Sequence, residues 1–218
     1  VLFRSSDGTP IEGRDFTNEE LALLIDEPFT INQELLDMNI NAEKQRELHI
    51  ISDPVLWAKT FLRDEDGNPI CPRAYQILPM RSESHRKVLR WGRRLGKSYY
   101  MALTMLHKAM TIPNYKVIVV APQIKHTKIL YDEIVNIIEN NTYVDSNVTN
   151  YIKSPSPEVT FTTGSFIRFF TAGTKSAGNA DSARGQEADL IILDEMDYLH
   201  PDDLIALLAM LQDTKKGK

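Results

Sequence analysis

The sequence predicts an α/β chain: a mainly parallel sheet flanked by helices, with an acidic helical appendage at its N-terminus. Three stretches predict it. From Val88 to Ser98 (V-L-R-W-G-R-R-L-G-K-S), an apolar strand-like run turns through Gly92 and Gly96 into a helix. The apolar residues of that helix recur at helical spacing up to Leu106. Tyr115 to Val120 (Y-K-V-I-V-V) is a continuous β-branched run, as a parallel strand buried on both faces requires. Ala188 to Glu195 is another apolar run, and it ends in two carboxylates.

Composition bounds the reading. At 218 residues and 42% hydrophobic content the chain can bury one substantial core. A single cysteine, Cys71, excludes an internal disulfide and a cysteine metal cluster. The five histidines fall in no ligand spacing, and no apolar run is long enough to cross a membrane. Net charge is −5, unevenly spread: residues 1–50 carry 4 Lys+Arg against 11 Asp+Glu, net −7, leaving 21 against 19, net +2, for 51–218. Seven basic residues lie between Arg81 and Tyr100, against Glu83 alone. Basic density centred on one glycine-bearing loop fits a polyphosphate ligand first and a nucleic acid second.

Taken in order, residues 1–16 read as an irregular arm with a turn at Asp7-Gly8. The capping box Thr17-x-x-Glu20 opens a short helix that Pro28 stops, a second covers Asn32 to Met38, and Asn41 caps a third running to about Ile51. A domain boundary is expected after residue 52, with the appendage at 1–52 and the main domain at 53–218. Asp53-Pro54 is an N-cap followed by proline at the first helical position, opening Val55 to Leu62. After a polar turn at Asp64 to Asn68, Pro72 suits the first turn of a helix carrying Tyr75-Gln76. That pair is either helix surface or a base reader, an aromatic stacked on adenine beside an amide on its edge.

Beyond the Tyr115–Val120 strand, a helix with the apolar stripe Ile129, Ile134, Ile137 and Ile138 runs to Asn140-Asn141. Residues 142–157 read as loop. Glu158 to Thr162 and Ser165 to Thr171 read as a hairpin across Thr163-Gly164, and Ala172 to Ser182 is small and polar. After Glu195, Asp197 reads as a turn before Pro201 and a helix from Asp202 to Leu211.

The chemistry gathers at two places. Strand, tight loop and helix are where a phosphate is bound well, because free N–H groups and the helix dipole converge there. Lys97 would reach the β- and γ-phosphates and the Ser98 hydroxyl would hold Mg²⁺. The full pattern G-x4-G-K-[ST] has glycine where Trp91 stands, and Gly92 sits one residue late. A bare carboxylate at a strand end needs a cation, so Asp194 is the expected metal ligand. Glu195, expected off the other side of the strand, would orient or deprotonate a water. Two solvated acids at a strand tip remain the plain alternative.

With these residues in view, Arg73-Ala74-Tyr75-Gln76, Gly92-Arg93-Arg94-Leu95-Gly96-Lys97-Ser98, Arg184-Gly185 and Leu190 to Glu195 together resemble the ATPase half of the large terminase subunit of tailed bacteriophages. The likeness spans about Asp53 to Leu211. It implies a RecA-like, additional-strand phosphate-loop fold, ATP and Mg²⁺ as cofactors, and a motor that moves double-stranded DNA into a procapsid. It implies Tyr75 and Gln76 at adenine, and Gly92, Arg93, Arg94, Leu95, Gly96, Lys97 and Ser98 around the phosphates. Ser98 and Asp194 would lie on the metal, with Glu195 as base. Arg93 would lie over the phosphates or couple the loop to DNA, and Arg184 matches an arginine finger given in trans. A salt bridge from Arg184 to Glu187 or Asp189 is the rival reading.

Implied partners are the DNA, a homo-oligomeric ring, the portal protein and the small terminase subunit; the implied location is the cytoplasm of an infected bacterial host. The resemblance further implies a Ser/Thr-rich coupling strand and a C-terminal nuclease domain, neither of which is found up to Lys218, so the chain is expected to be C-terminally incomplete. A D-E-x-D helicase, from Asp194 to Asp197, and a non-catalytic nucleotide-dependent assembly module are the competing functions.

Overall fold

The structure is a computed structural model that describes residues 3–4, 10–11, 42–154, 156–172 and 186–211. The helices expected between Thr17 and Met38, the Asp7-Gly8 turn, most of Ala172 to Ser182, and Arg184 lie outside the described residues.

Near the start of the chain β1 (Phe3–Arg4) pairs antiparallel with β2 (Pro10–Ile11) where an irregular arm was expected. Three helices follow: α1 (Ala42–Ser52), α2 (Pro54–Phe61) and α3 (Ala74–Arg81). Asp53 caps α2 as its sequence context predicts, its Oδ1 accepting from the Val55 and Leu56 N–H groups at 2.8 and 3.3 Å. Its other oxygen pairs with Arg81 at 2.8 Å, so one buried carboxylate fastens the start of α2 to the end of α3. Pro72 lies just outside α3, whose N-cap is Arg73.

The main body alternates helix and strand. It comprises α4 (Lys97–Thr111), β3 (Lys116–Ala121), α5 (Ile124–Glu139), α6 (Thr142–Asp145), β4 (Val148–Ile152), β5 (Glu158–Phe161), β6 (Phe166–Thr171), β7 (Leu190–Leu193) and α7 (Pro201–Leu208). The sheet order is β4-β5-β6-β3-β7. Its centre is parallel, with β3 flanked by β6 and β7, and β4 and β5 extend it antiparallel, which makes the sheet mixed. Strand parity divides the core. Val117, Val119, Ile167 and Phe169 face α4 and α5. Ile118 and Val120 face the opposite side, where Leu207 of α7 packs. The hairpin across Gly164 (φ +79°) forms as expected.

Four expectations give way, each for a physical reason. Residues 86–91 form no strand: Leu89 and Trp91 pack inward while Val88 is 75% exposed, so the alternation is kept but no strand among the described residues pairs with it. β7 is half-buried rather than buried, because it stands at the sheet edge. In α5 the buried stripe is Thr127, Leu130, Tyr131, Ile134, Ile137 and Ile138, and Ile129 is 56% exposed; the face that meets β3 and α4 sets the phase. Residues 142–157 contain α6 and β4, whose solvent-facing residues carry no apolar alternation that could announce a strand.

His107 on α4 is buried. Its Nε2–H lies 2.8 Å from the Ile51 carbonyl and its ring meets Trp57 edge-on at 5.4 Å, which binds α1 and α2 to α4. Burial pulls its pKa from 6.5 down to about 4. The unfolded chain therefore takes up a proton near pH 6.5 that the folded chain refuses. The contribution of neutral His107 is complete above pH 6.5 and is lost as pH falls toward 4. Unfolding free energy from urea titrations is expected to drop by about 2 kcal/mol between pH 7 and pH 5, and His107→Gln is expected to remove most of that slope.

Candidate functional site

The site forms where β3 and β7 end side by side. Val120 pairs with Leu193 in parallel register, and the Asp194 N–H donates to the Val120 carbonyl at 3.0 Å. This puts the two terminal acids at the same end of the sheet as the start of α4. The chain reaches α4 through two left-handed residues, Arg94 (φ +62°) and Gly96 (φ +69°). That conformation turns the loop sharply into the helix and leaves the first-turn N–H groups of α4 open to a ligand. A cavity of about 480 Å³ lies there, lined by Trp91, Gly92, Arg93, Arg94, Gly96, Lys97, Ser98, Tyr99, Glu133 and Glu195.

Lys97 joins the two halves. Its ammonium donates to Glu195 Oε1 at 3.0 Å and lies 3.9 Å from Asp194 Oδ1. Burial raises the Asp194 carboxyl above the usual carboxylate range, with Lys97 opposing the rise; a cation near that oxygen would relieve the cost. The hydrogen bond from Lys97 holds Glu195 below its ordinary value, and Arg93 adds to the effect. Glu195 does not leave the strand on the far side. Its backbone is left-handed (φ 50°, ψ 45°), so the chain turns at the strand end and its carboxylate returns to the same ammonium as Asp194.

Tyr75 and Gln76 also reach this site, from beneath the loop. The Tyr75 hydroxyl donates to the Leu95 carbonyl at 2.8 Å. The Gln76 amide donates to the Gly96 carbonyl at 3.1 Å and accepts from the Arg73 N–H at 2.8 Å. Gln76 is only 2% exposed.

Two further residues lie here that sequence reasoning passed over. His126, on the first turn of α5, has Nδ1 3.9 Å from Asp194 Oδ2, so Asp194 is bracketed by Lys97 and His126. Had the β3–β7 pairing been read, the turn after β3 would have marked it. Glu133 enters the cavity from the middle of α5, and nothing in its sequence context signals this. Burial raises its carboxyl, and burial with Glu133 close by pushes the Tyr99 phenol up to about 12.

Loop, lysine and paired acids suit a triphosphate with a divalent cation. Among the described residues no three His, Cys, Asp or Glu side chains converge as a metal cage. Mg²⁺ needs none, since it takes one or two carboxylates and completes its shell with phosphate oxygens and water.

A family model described as "Terminase large subunit, T4likevirus-type, N-terminal" matches residues 88–216, more than half of the chain. This chain belongs to the terminase large subunit family. Tripartite terminase subunit 3 of Varicella-zoster virus (strain Dumas) is similar to it at 27% identity over 122 residues, 56% of this chain and 16% of that protein. The crystal structure of the HK97 bacteriophage large terminase resembles it with a TM-score of 0.61 at 16% identity, over 77% of this chain and 36% of that one. This terminase chain shares the RecA-like fold of that structure and spans a minor part of each relative's length.

Gly96 carries a direct test of the loop geometry. An alanine there would need φ +69° and would bring its Cβ to 3.0 Å from Gln76 Nε2. Gly96→Ala is expected to cost about 1–3 kcal/mol in a urea titration. In calorimetry it is expected to weaken nucleoside triphosphate binding about tenfold, as the loop shifts to relieve the strain.

Proposed function

We propose that this chain is the ATP-hydrolysing part of a terminase, a motor that uses ATP to drive double-stranded viral DNA into a procapsid. The observation that carries the reading is the meeting of Lys97, at the start of α4, with Asp194 and Glu195, at the end of β7, in a chain of the terminase family.

The parts assigned to each residue are supported by its place. The first-turn N–H groups of α4 and the Lys97 ammonium hold the triphosphate, with Gly92, Arg94, Leu95 and Gly96 shaping the loop around it. Ser98 and Asp194 would hold Mg²⁺. When bound, Mg-ATP supplies the bond to be broken and a metal charge that neutralises the phosphate oxygens. Arg93, close enough to lower Glu195, adds positive charge at the phosphate end.

Lys97 and Glu195 are coupled in a useful order. Lys97 leaves Glu195 when it turns to phosphate oxygens. The carboxylate then loses that hydrogen bond and is free to meet a water. Glu195 orients the attacking water and accepts its proton. Arg184, outside the described residues, is proposed as the arginine finger of a neighbouring subunit in a homo-oligomeric ring, which would tie hydrolysis to assembly. The portal protein and the small terminase subunit are the proposed further partners, and a nuclease activity is proposed for the whole protein.

Glu195→Gln tests the assignment. It keeps the size of the side chain and removes the base, so Mg-ATP binding by calorimetry is expected to stay within about threefold of the parent while steady-state phosphate release falls by roughly a hundredfold or more. Unchanged phosphate release would remove Glu195 from the chemistry.

A further inference from the structure

We propose that Glu133, with the Tyr99 hydroxyl close by, reads the sugar of the nucleotide: its carboxylate accepts hydrogen bonds from the 2′- and 3′-hydroxyls of a ribose. This rests on the phosphate site proposed above and extends it to a subsite for the sugar. Both residues line the cavity of about 480 Å³ that also contains the loop, Lys97 and Glu195. Glu133 gets there from the flank of a buried stripe. Leu130 and Ile137, one turn before it and one turn after, are buried on α5 and share its side of the helix. Asp132, its neighbour in sequence, is turned out to solvent.

Glu133 stands apart from the charges that serve a phosphate. Lys97 opposes the burial of Asp194 and, with Arg93, holds Glu195 down. Nothing does this for Glu133: burial raises its carboxyl, and no cation or hydrogen bond offsets the rise. Among the described residues it has no side-chain hydrogen bond and no ion pair. A phosphate oxygen set against this carboxylate would meet like charge with no cation between them. What the group lacks is a donor, and a carboxylate that receives one makes a charge-assisted bond.

The order of the parts puts a sugar here. α4 opens with the N–H groups of Lys97, Ser98 and Tyr99, ahead of Tyr100, whose N–H enters the helical ladder on the Gly96 carbonyl at 2.9 Å. The phosphate that reacts belongs with Lys97 and Glu195, which lie 3.0 Å apart. The remaining phosphates follow along the open N–H groups, and the sugar comes after the last of them, on the side where Tyr99 and Glu133 line the cavity. Tyr99 supplies the second half of a diol site. Burial, then Glu133, Asp64 and Cys71, push its phenol up to about 12, so it stays a hydroxyl that can donate and accept. A ribose diol offers both donors and acceptors, which a carboxylate and a phenol together can meet.

Glu133→Ala and Tyr99→Phe are compared with the parent by calorimetric titration. The ligands are Mg-ATP, Mg-2′,3′-dideoxy-ATP, Mg-GTP and magnesium tripolyphosphate, a probe with neither sugar nor base. The parent is expected to bind ATP roughly tenfold tighter than dideoxy-ATP, as a site built to hydrogen-bond a hydroxyl does. In Glu133→Ala that ratio is expected to fall to about one, through weaker ATP binding. Dideoxy-ATP and tripolyphosphate are expected to bind it at least as well as they bind the parent. Tyr99→Phe keeps the ring, guards against a folding failure in Glu133→Ala, and is expected to narrow the same ratio about threefold. A parent that binds ATP and dideoxy-ATP equally overturns the proposal. So does a Glu133→Ala protein that keeps the parent's ratio, or one that changes the ATP-to-GTP ratio instead, since the carboxylate would then face the base. A parent that binds none of the four ligands overturns the phosphate-site reading itself, and this proposal with it.

Discussion

One ammonium between two carboxylates organises this chain. Lys97 sits 3.0 Å from Glu195 and 3.9 Å from Asp194, although nearly a hundred residues separate it from both. The sheet brings them together: β3 and β7 run parallel in register, their ends emerge side by side, and α4 begins at that same end. The pairing also balances charge. Asp194 is buried where a lone carboxylate would be costly, and the Lys97 ammonium lies 3.9 Å from it.

The place of the site was legible where local pattern alone determines it. Gly-Lys-Ser ahead of a helix, and an apolar run ending in Asp-Glu, mark in a few residues each the two ends that meet. The same holds for the Asp53 cap and for the hairpin across Gly164, where backbone geometry restricts the choice of residue. What escaped depends on neighbours. Residues 86–91 keep the alternation of a strand, yet a ladder needs a partner and the described residues offer none. β4 is an exposed edge, so polar residues conceal it. Ile129 looked like core because periodicity gives a helix its spacing, while packing against β3 and α4 decides its phase.

At the site the misreadings have a common cause, which is depth and direction. Strand parity sent Glu195 to the far side, but a single left-handed residue turns it back to Lys97. Helix position says nothing of how deep Tyr75 and Gln76 lie; the loop folds over α3, and Gln76 is 2% exposed with its amide on the Gly96 carbonyl. His126 gains meaning only from the β3–β7 register. In each case residue type was informative, and the missing quantity was a backbone angle or a strand pairing.

The central claim is that Lys97 and Asp194 belong to one site around one magnesium triphosphate. A double-mutant cycle on Mg-ATP affinity, with Lys97→Ala, Asp194→Asn and the pair together, tests it most directly. The account predicts that each single change weakens binding and that the double change departs from their sum by about 1 kcal/mol or more, as groups sharing a ligand do. Additivity within a few tenths of a kcal/mol would contradict it, because that is how independent, distant residues behave.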